Sequence, residues 1–524
     1  MILLSHQTNL RTVFIFTYQP ALRPALPCVY GSLDYREQRA LFERIDVILS
    51  ASGLEQDFIN LALTDQKINI AATSAKRLGR FARLSVLAFR ANIARILTGL
   101  AHRDFCARLA DSLLLQWFLH VGEIDAVKAF SKSSSDRFGH WVSEESLRTI
   151  NQRFTALLAL TTTELDASQT PFAAFGLPDS ISFDDIYFDS TCLKADIHFP
   201  TDWVLLRDAA RTLMKATVLI RKYGLKNRMP QEPLDFLSRM NTLCMKMSAM
   251  GRATNGRKQR KKVLREMKVL EKCIGQHAKA HLAALKARRD ETTLSEAQAQ
   301  QIINRMESVL DQLPAAIKQA HERIIGGRRV ANEAKILSLY DDTVNVIVRG
   351  KAGANVEFGN KLWLGENSNG IIVDYQLYQD NPSDSTLAKP ALERLLDEQN
   401  LEVKQVWGDR GLASKVNSAM LERRKIGDGF CPRNVAELSN RLATEEGFRA
   451  GLKRRAATEA RIGIFKNVFL GRPLLAKGFK HRRLAVAWAA LTHNLWVVAR
   501  MAEAAKKRNA DKEPSLRLPI ARAA

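Results

Sequence analysis

Three acidic side chains stand where they could handle a phosphate ester. Asp189 follows the apolar run of SFDDIYFDSTCL, Asp409 follows the β-rich EVKQVWGDRG, and Glu459 sits among cations in LKRRAATEARIGIFKN, residues 452–467. The two aspartates are expected at the carboxyl ends of central strands. If those strands are parallel neighbours, their ends meet in the crevice where α/β sheets place their sites. Glu459 is expected on a following helix, where at 100° per residue Arg455, Glu459 and Lys466 fall within about 40° of one another. Three converging carboxylates suit Mg2+, with Mn2+ also possible, because both take oxygen ligands and leave positions open for water and phosphate. A pair of such ions about 4 Å apart can activate an attacking oxygen and stabilise a leaving one at phosphorus. The plain alternative for the helix is a solvated face with an i,i+4 ion pair, worth a few tenths of a kcal/mol.

The elements that must position these residues follow from periodicity. Residues 35–165 show apolar residues at three and four spacing, as in LSVLAFRANIARILTGL and CARLADSLLLQWFLHVG, and read as helical. SKSSSDRFGHWVSEESLRTINQRF reads as turn, cap and helix, compatible with a helix-turn-helix or a plain bundle. After the strand that carries Asp189 comes a helical block, residues 205–335, and then the strands VNVIVRG, NVEFGNKLWLGE and GIIVDYQLYQ. Asn369-Gly370 predicts a hairpin between the last two. Helix, strand, helix and short strand then lead to the helix of Glu459. The order predicts an α/β fold, a mixed sheet with a large helical insertion after its first strand.

Charge points to a polyanion. The 524 residues hold 79 Lys and Arg against 55 Asp and Glu, a net charge of +24. An excess of that size favours nucleic acid first and an anionic membrane second. Residues 205–335 alone hold 28 bases against 12 acids, two thirds of the excess. The densest run is GRATNGRKQRKKVLREMKVLEK, so Arg257, Lys258, Arg260, Lys261 and Lys262 are candidate DNA contacts, with a solvated charged helix pair as the alternative. No stretch reaches the roughly 18 apolar residues of a membrane span, and TVFIFTY is too short and poorly flanked for a signal peptide, so a cytoplasmic protein is expected, without membrane partners. Six scattered cysteines without a CxxC indicate neither a zinc ribbon nor a disulfide scaffold. His277 and His281 have the spacing of a helical zinc pair but no HExxH or third ligand, so an exposed pair is expected. His198 could orient substrate or make a structural hydrogen bond. Asp196 and Asp202 are rejected as the first acid because neither ends the apolar strand. Trp488, His493, Asn494 and Trp496 read as core packing on one apolar helix.

Taken together, YFDSTCLKADIHFPTDWVLLRD, VRGKAGANVEFGNKLWL, VWGDRGLAS and RRAATEARIGIFKN resemble the DDE-type insertion-sequence transposases, whose catalytic core is RNase H-like. The family signature Tyr-x2-Arg-x3-Glu-x6-Lys fits at Arg455, Glu459 and Lys466, with Leu452 at the tyrosine position. The resemblance implies that Asp189, Asp409 and Glu459 bind the catalytic divalent ions. It also implies that Arg455 and Lys466 steady phosphates of the transposon end. Leu452 would remove a phosphate-contacting hydroxyl. The domains implied are an extension over 1–30, a helical DNA-binding or dimerisation domain over 31–175, an RNase H-like catalytic domain over 176–500 interrupted by the basic insertion at 205–335, and a basic tail over 501–524. The expected activity is metal-dependent cleavage and strand transfer on double-stranded DNA, transposon ends and target, by a homodimer located at the nucleoid when bound. Two rivals remain: a nuclease of the same fold that does not join strands, and a repressor-like DNA-binding protein of a degenerate element.

Overall fold

The computed structural model describes residues 25–121, 127–160, 171–250, 255–351, 354–471 and 474–512. The extension as far as residue 24, the tail from 513 and the start of the basic run at 251–254 lie outside the described residues. The chain forms two compact units. The first comprises the described residues up to Thr191, Leu362–Tyr378 and those from Pro382; the second comprises Cys192–Lys361 and Gln379–Asn381.

The first unit begins with helices α1 (Leu33–Ser52), α2 (Leu54–Asp65), α3 (Ala75–Thr98), α4 (His102–Asp111), α5 (Leu113–Leu119), α6 (Lys132–Gly139), α7 (Glu144–Ala159) and the single turn α8 (Pro171–Ala174). Gly53 at φ 72° and Gly99 at φ 65° end α1 and α3 in the left-handed conformation that glycine adopts without a Cβ clash. Ser131 and Ser143 cap α6 and α7 through their hydroxyls. Phe58 and Phe89 pack with Trp488, and the buried Arg90 is ion-paired with Asp46 and Glu55. No single helix among the described residues is long and apolar enough to cross a membrane.

Strand β1 (Asp185–Lys194) leaves this unit after Thr191 and leads into the second, which is built on α9 (Asp202–Lys222), α10 (Pro233–Ala249), α11 (Gly256–Ala287) and α12 (Glu296–Ala320). Their apolar faces share one core, with Leu206, Met214, Met240, Leu264, Met267, Ile274 and Met306 buried in it. Asp202 is buried at the start of α9, where it accepts hydrogen bonds from Gln319 (2.9 Å) and Arg323 (2.8 Å). His281 departs from the expected exposed pair. It is fully buried, its Nδ1 donating to the His277 carbonyl (2.8 Å) and its Nε2 accepting from the Asn227 N–H (3.4 Å), so both ring nitrogens are engaged. Strand β2 (Asn345–Lys351) then pairs antiparallel with the first part of β3 (Ala354–Asn367).

The second half of β3 returns to the first unit and turns into β4 (Ile372–Tyr378). Gly370 at φ 87° supplies the left-handed residue that the Asn-Gly pair predicts. There follow α13 (Ala388–Glu393), β5 (Gln405–Gly408), α14 (Lys415–Arg424), β6 (Gly427–Phe430), α15 (Val435–Thr444), α16 (Phe448–Ile464) and α17 (Phe479–Lys512). In this unit β3, β1, β5 and β6 are successive neighbours and β4 pairs with β3. The β1·β5 and β5·β6 pairs are parallel, giving a mixed α/β sheet. Helix α15 is absent from the expected order. Asn494 on α17 donates to Asn151 of α7 and to the Ile372 carbonyl and accepts from the Ile372 N–H, each at 2.8 Å; a fully buried amide is thereby satisfied.

Helix α16 is set against the sheet by Trp407. Its ring stacks on Tyr187 with centroids 6.1 Å apart, lies 6.1 Å from the Phe448 ring, and leaves room for α16 only because residue 451 is glycine. A Cβ on Gly451 would fall 2.0 Å from the indole. Gly451→Ala is therefore expected to destabilise the protein by about 1–3 kcal/mol, the usual range for overpacking a tight core. Urea unfolding measures it, and a variant as stable as wild type would show that the packing there is loose.

Candidate active site

Parallel pairing of β1 with β5 brings the two aspartates together. Ile186 faces Val406 and Tyr187 faces Trp407, so the register, carried two residues on, sets Asp189 opposite Asp409. The expectation that both acids end strands holds for Asp409, which lies just past β5, and fails for Asp189. That residue lies midway along β1, because the strand continues to Lys194 after its pairing with β5 stops at Tyr187. Asp189 is half-buried, and its Oδ1 accepts the Ser190 N–H at 2.7 Å. Burial and the neighbouring Asp409 charge push its carboxyl up to about 7; Glu459 adds to the rise, while the Ser190 N–H and Arg455 oppose it. The Oδ1 of Asp409 accepts the Gly411 N–H at 2.9 Å, which fixes the loop after β5.

Glu459 and its cations occupy the helix as the spacing predicts, with one change at the end. Arg455 and Glu459 are one turn apart on α16, 3.7 Å between Nη2 and Oε1. The Glu459 side chain keeps 59% of its surface exposed, whereas Arg455 keeps 20%. Lys466 lies beyond α16, in a π-helical turn over Phe465–Leu470, so the 100° rule does not reach it. Its Nζ nevertheless donates to Thr191 Oγ1 at 3.1 Å. Thr191 and Asp189 are alternate residues of β1 and share a face, which places the lysine beside the aspartates. Leu452 packs against the Tyr187, Trp407 and Phe448 cluster, so this position serves the core.

Arg454 has a role that sequence reasoning missed. It donates to the carbonyls of Asn367 (2.9 Å) and Ser368 (2.9 Å) and to the buried Glu366 (3.1 Å), and its guanidinium lies 4.5 Å from the Tyr187 ring centre. Thr458, one turn on, donates to the same Glu366 oxygen at 2.8 Å. The two residues clamp α16 to the β3–β4 turn and so set the height at which Glu459 stands. The i,i+4 pair of polar residues on an otherwise core-facing side was the available signal.

The donor set fits a hard divalent cation in its chemistry. Asp189 and Asp409 are oxygen ligands whose mutual repulsion a cation would relieve, and Glu459 is exposed enough to turn towards them. As the side chains stand, no group of three His, Cys, Asp or Glu among the described residues is gathered closely enough to hold a metal ion. Glu459 is turned to Arg455.

In the second unit, the structure sorts the candidate DNA contacts on α11. Lys258, Lys262 and Arg257 are exposed, and Lys261 is half-buried. Arg260 is engaged: its guanidinium lies 5.0 Å over Trp203 and its Nε donates to the Met247 carbonyl. Lys258, Lys262, Arg265, Lys272 and Lys279 are all exposed and make no ion pair among the described residues. At 100° per residue they fall in one band about 100° wide, and at 1.5 Å per residue the band runs about 32 Å along the helix. His198 and Asp196 are exposed.

Residues 352–495 match the family model described as the transposase DDE domain, a stretch that contains Asp409, Arg455, Glu459 and Lys466. No curated protein and no solved structure matches the chain.

The raised carboxyl of Asp189 has a consequence for stability. Between its ordinary value of 3.8 and about 7, the folded chain holds a proton that the unfolded chain has released. Its contribution to stability is therefore complete below about 4 and lost as the pH rises through 7. Urea unfolding in EDTA from pH 5 to 8 should show wild type losing stability relative to Asp189→Asn as the pH rises. Parallel curves for the two proteins would contradict the shift.

Proposed function

We propose that this chain, which carries the DDE domain of a transposase over residues 352–495, binds the terminal inverted repeats of its insertion sequence, cleaves DNA there and joins the freed 3′-hydroxyl to target DNA. The observation that carries the reading is the β1·β5 register, which sets Asp189 opposite Asp409 beneath the helix of Glu459. The core is then RNase H-like, with the sheet of the first unit as its platform.

Asp189, Asp409 and Glu459 are the residues that would hold Mg2+ or Mn2+. Such an ion, when bound, polarises a phosphoryl oxygen and lowers the pKa of the attacking water or hydroxyl. The chain's own part is positioning and charge. Lys466, beside Asp189 through Thr191, and Arg455, at the rim of the same site, hold phosphate oxygens of the cleaved strand. Glu459 exchanges Arg455 for the site when DNA arrives, and the freed guanidinium turns to phosphate. The pair is long at 3.7 Å and its glutamate is exposed; a solvent-screened pair is worth about 0–1 kcal/mol, so the exchange costs little. The exposed cations of α11 follow the backbone of the transposon end, Lys258 and Lys262 among them, while Arg260 stays with Trp203. Two ends must be brought together, so the active complex is a dimer, located at the nucleoid.

The Glu459–Arg455 pair and the packed Leu452 favour a second reading, a DNA-binding protein that has lost catalysis. Cleavage of a labelled duplex bearing the flanking element's end separates the two. Wild type should give Mg2+-dependent 3′-hydroxyl ends followed by joined products. Glu459→Ala should lose more than about 100-fold in cleavage, exceeding the upper cost of disturbing a metal's outer-sphere partners, while binding the duplex unchanged. Binding without cutting by both proteins would favour the second reading, and 3′-hydroxyl ends without joining would indicate a nuclease. In a salt titration of duplex binding, replacing Lys258, Lys262 and Arg265 by alanine should make log K against log salt shallower by about 0.9 for each phosphate no longer neutralised. An unchanged slope would remove α11 from the DNA path.

A further inference from the structure

The short stretch NPSDSTLAK places one more carboxylate against both aspartate segments. Asp384 opens a 3-10 turn, Asp384–Thr386, just before α13. It is half-buried, and its Oδ1 accepts the hydroxyl of Ser190, the residue after Asp189, at 2.9 Å. Its Oδ2 lies 3.2 Å from where a Cβ of residue 411 would stand, and that same point is 3.0 Å from the Asp409 Oδ1. Residue 411 is glycine, and both carboxylates come close to the space that a side chain there would fill. A further link runs through Asn417, which is buried and donates both to the Ser385 carbonyl (2.9 Å) and to the Leu412 carbonyl (2.7 Å). The turn of Asp384 is thus bonded to the strand of Asp189 and braced on the loop of Asp409.

We infer that Asp384 is a positioning residue for the cation site, holding the Asp189 and Asp409 segments in the spacing that their shared ligand requires. This rests on the reading of Asp189 and Asp409 given under the proposed function. The need for such a brace is local. Past Tyr187 and Trp407 the two strands no longer pair, so no ladder hydrogen bond fixes the distance between the segments. The Ser190 hydroxyl, next in β1 to Asp189, bonds Asp384, and this bond restrains β1 beside the site. A carboxylate suits the position because it offers one oxygen to Ser190 and one to the Gly411 side, and a charged acceptor strengthens the serine bond. Asparagine keeps the shape and one acceptor; alanine keeps neither.

The test is Mn2+ binding to the DNA-free protein, followed by electron paramagnetic resonance, alongside duplex cleavage, for wild type, Asp384→Asn, Asp384→Ala and Ser190→Ala. Thermal unfolding and duplex binding in EDTA confirm that each variant is folded. Positioning predicts that Asp384→Ala weakens Mn2+ binding about 10–100-fold, the range for an outer-sphere partner, that Ser190→Ala weakens it in the same direction, and that Asp384→Asn restores most of the loss. Cleavage should fall in the same order. Mn2+ binding by Asp384→Ala equal to wild type overturns the inference. So does an Asp384→Asn as weak as Asp384→Ala with Ser190→Ala unaffected, because the charge would then act on the ion directly. Wild type that binds Mn2+ in the predicted order of variants yet never cuts DNA would defeat the proposed function and leave the positioning role standing.

Discussion

Two carboxylates placed opposite each other on adjacent parallel strands repel, and the remainder of the first unit is arranged so that they stay there. Asp189 and Asp409 reach this position because β1 and β5 pair in register through Trp407 and then part. Burial first and the Asp409 charge second push the Asp189 carboxyl up to about 7. A folded protein holds such an arrangement when packing elsewhere enforces it. Here the enforcement comes from Trp407, which is packed between Tyr187 and Phe448 and closed off by the bare backbone of Gly451. Arg454 and Thr458 then bind α16 to the β3–β4 turn through Glu366.

Much of this is legible in the residue order. Apolar runs announce β1 and β5, Asn369-Gly370 announces the hairpin, and Arg455 with Glu459 declares one face of α16. The departures have local causes. Asp189 reads as a strand end because STCLK turns polar after it, whereas Thr191, Cys192 and Leu193 of that segment are buried and the strand runs on. Lys466 reads as helical because no residue near it breaks a helix; the π turn that holds it leaves no mark in composition. Arg454 has its i,i+4 partner Thr458 as a signal, but Glu366, which both bind, lies far away in sequence, and Asp384 has no periodic partner at all. In the insertion, net charge was readable, but which cations are occupied was not: Arg260 and Lys262 look alike until Trp203 is seen beneath the first.

On the proposed function, the chemistry divides between the units. The first carries the acids, Arg455 and Lys466 on rigid elements, which suits a reaction where a small misplacement is expensive. The second carries a helical scaffold with a row of exposed cations, which suits a backbone read without regard to base sequence. Glu459 has one place in the structure and another in the proposal: in the protein alone it is an exposed partner of Arg455, and on the proposed function it becomes the third ligand when DNA and a cation bind. Leu452 is half-buried against the Tyr187, Trp407 and Phe448 cluster.

The central claim is that one divalent cation is shared by Asp189, Asp409 and Glu459. Its most direct test is to replace Mg2+ by Fe2+ in the DNA-bound protein, generate hydroxyl radicals at the bound iron with ascorbate and peroxide, and map where the polypeptide is cut. The account predicts cuts clustered around residues 189, 409 and 459, suppressed by excess Mg2+. Cuts centred elsewhere, or none that Mg2+ suppresses, would contradict it.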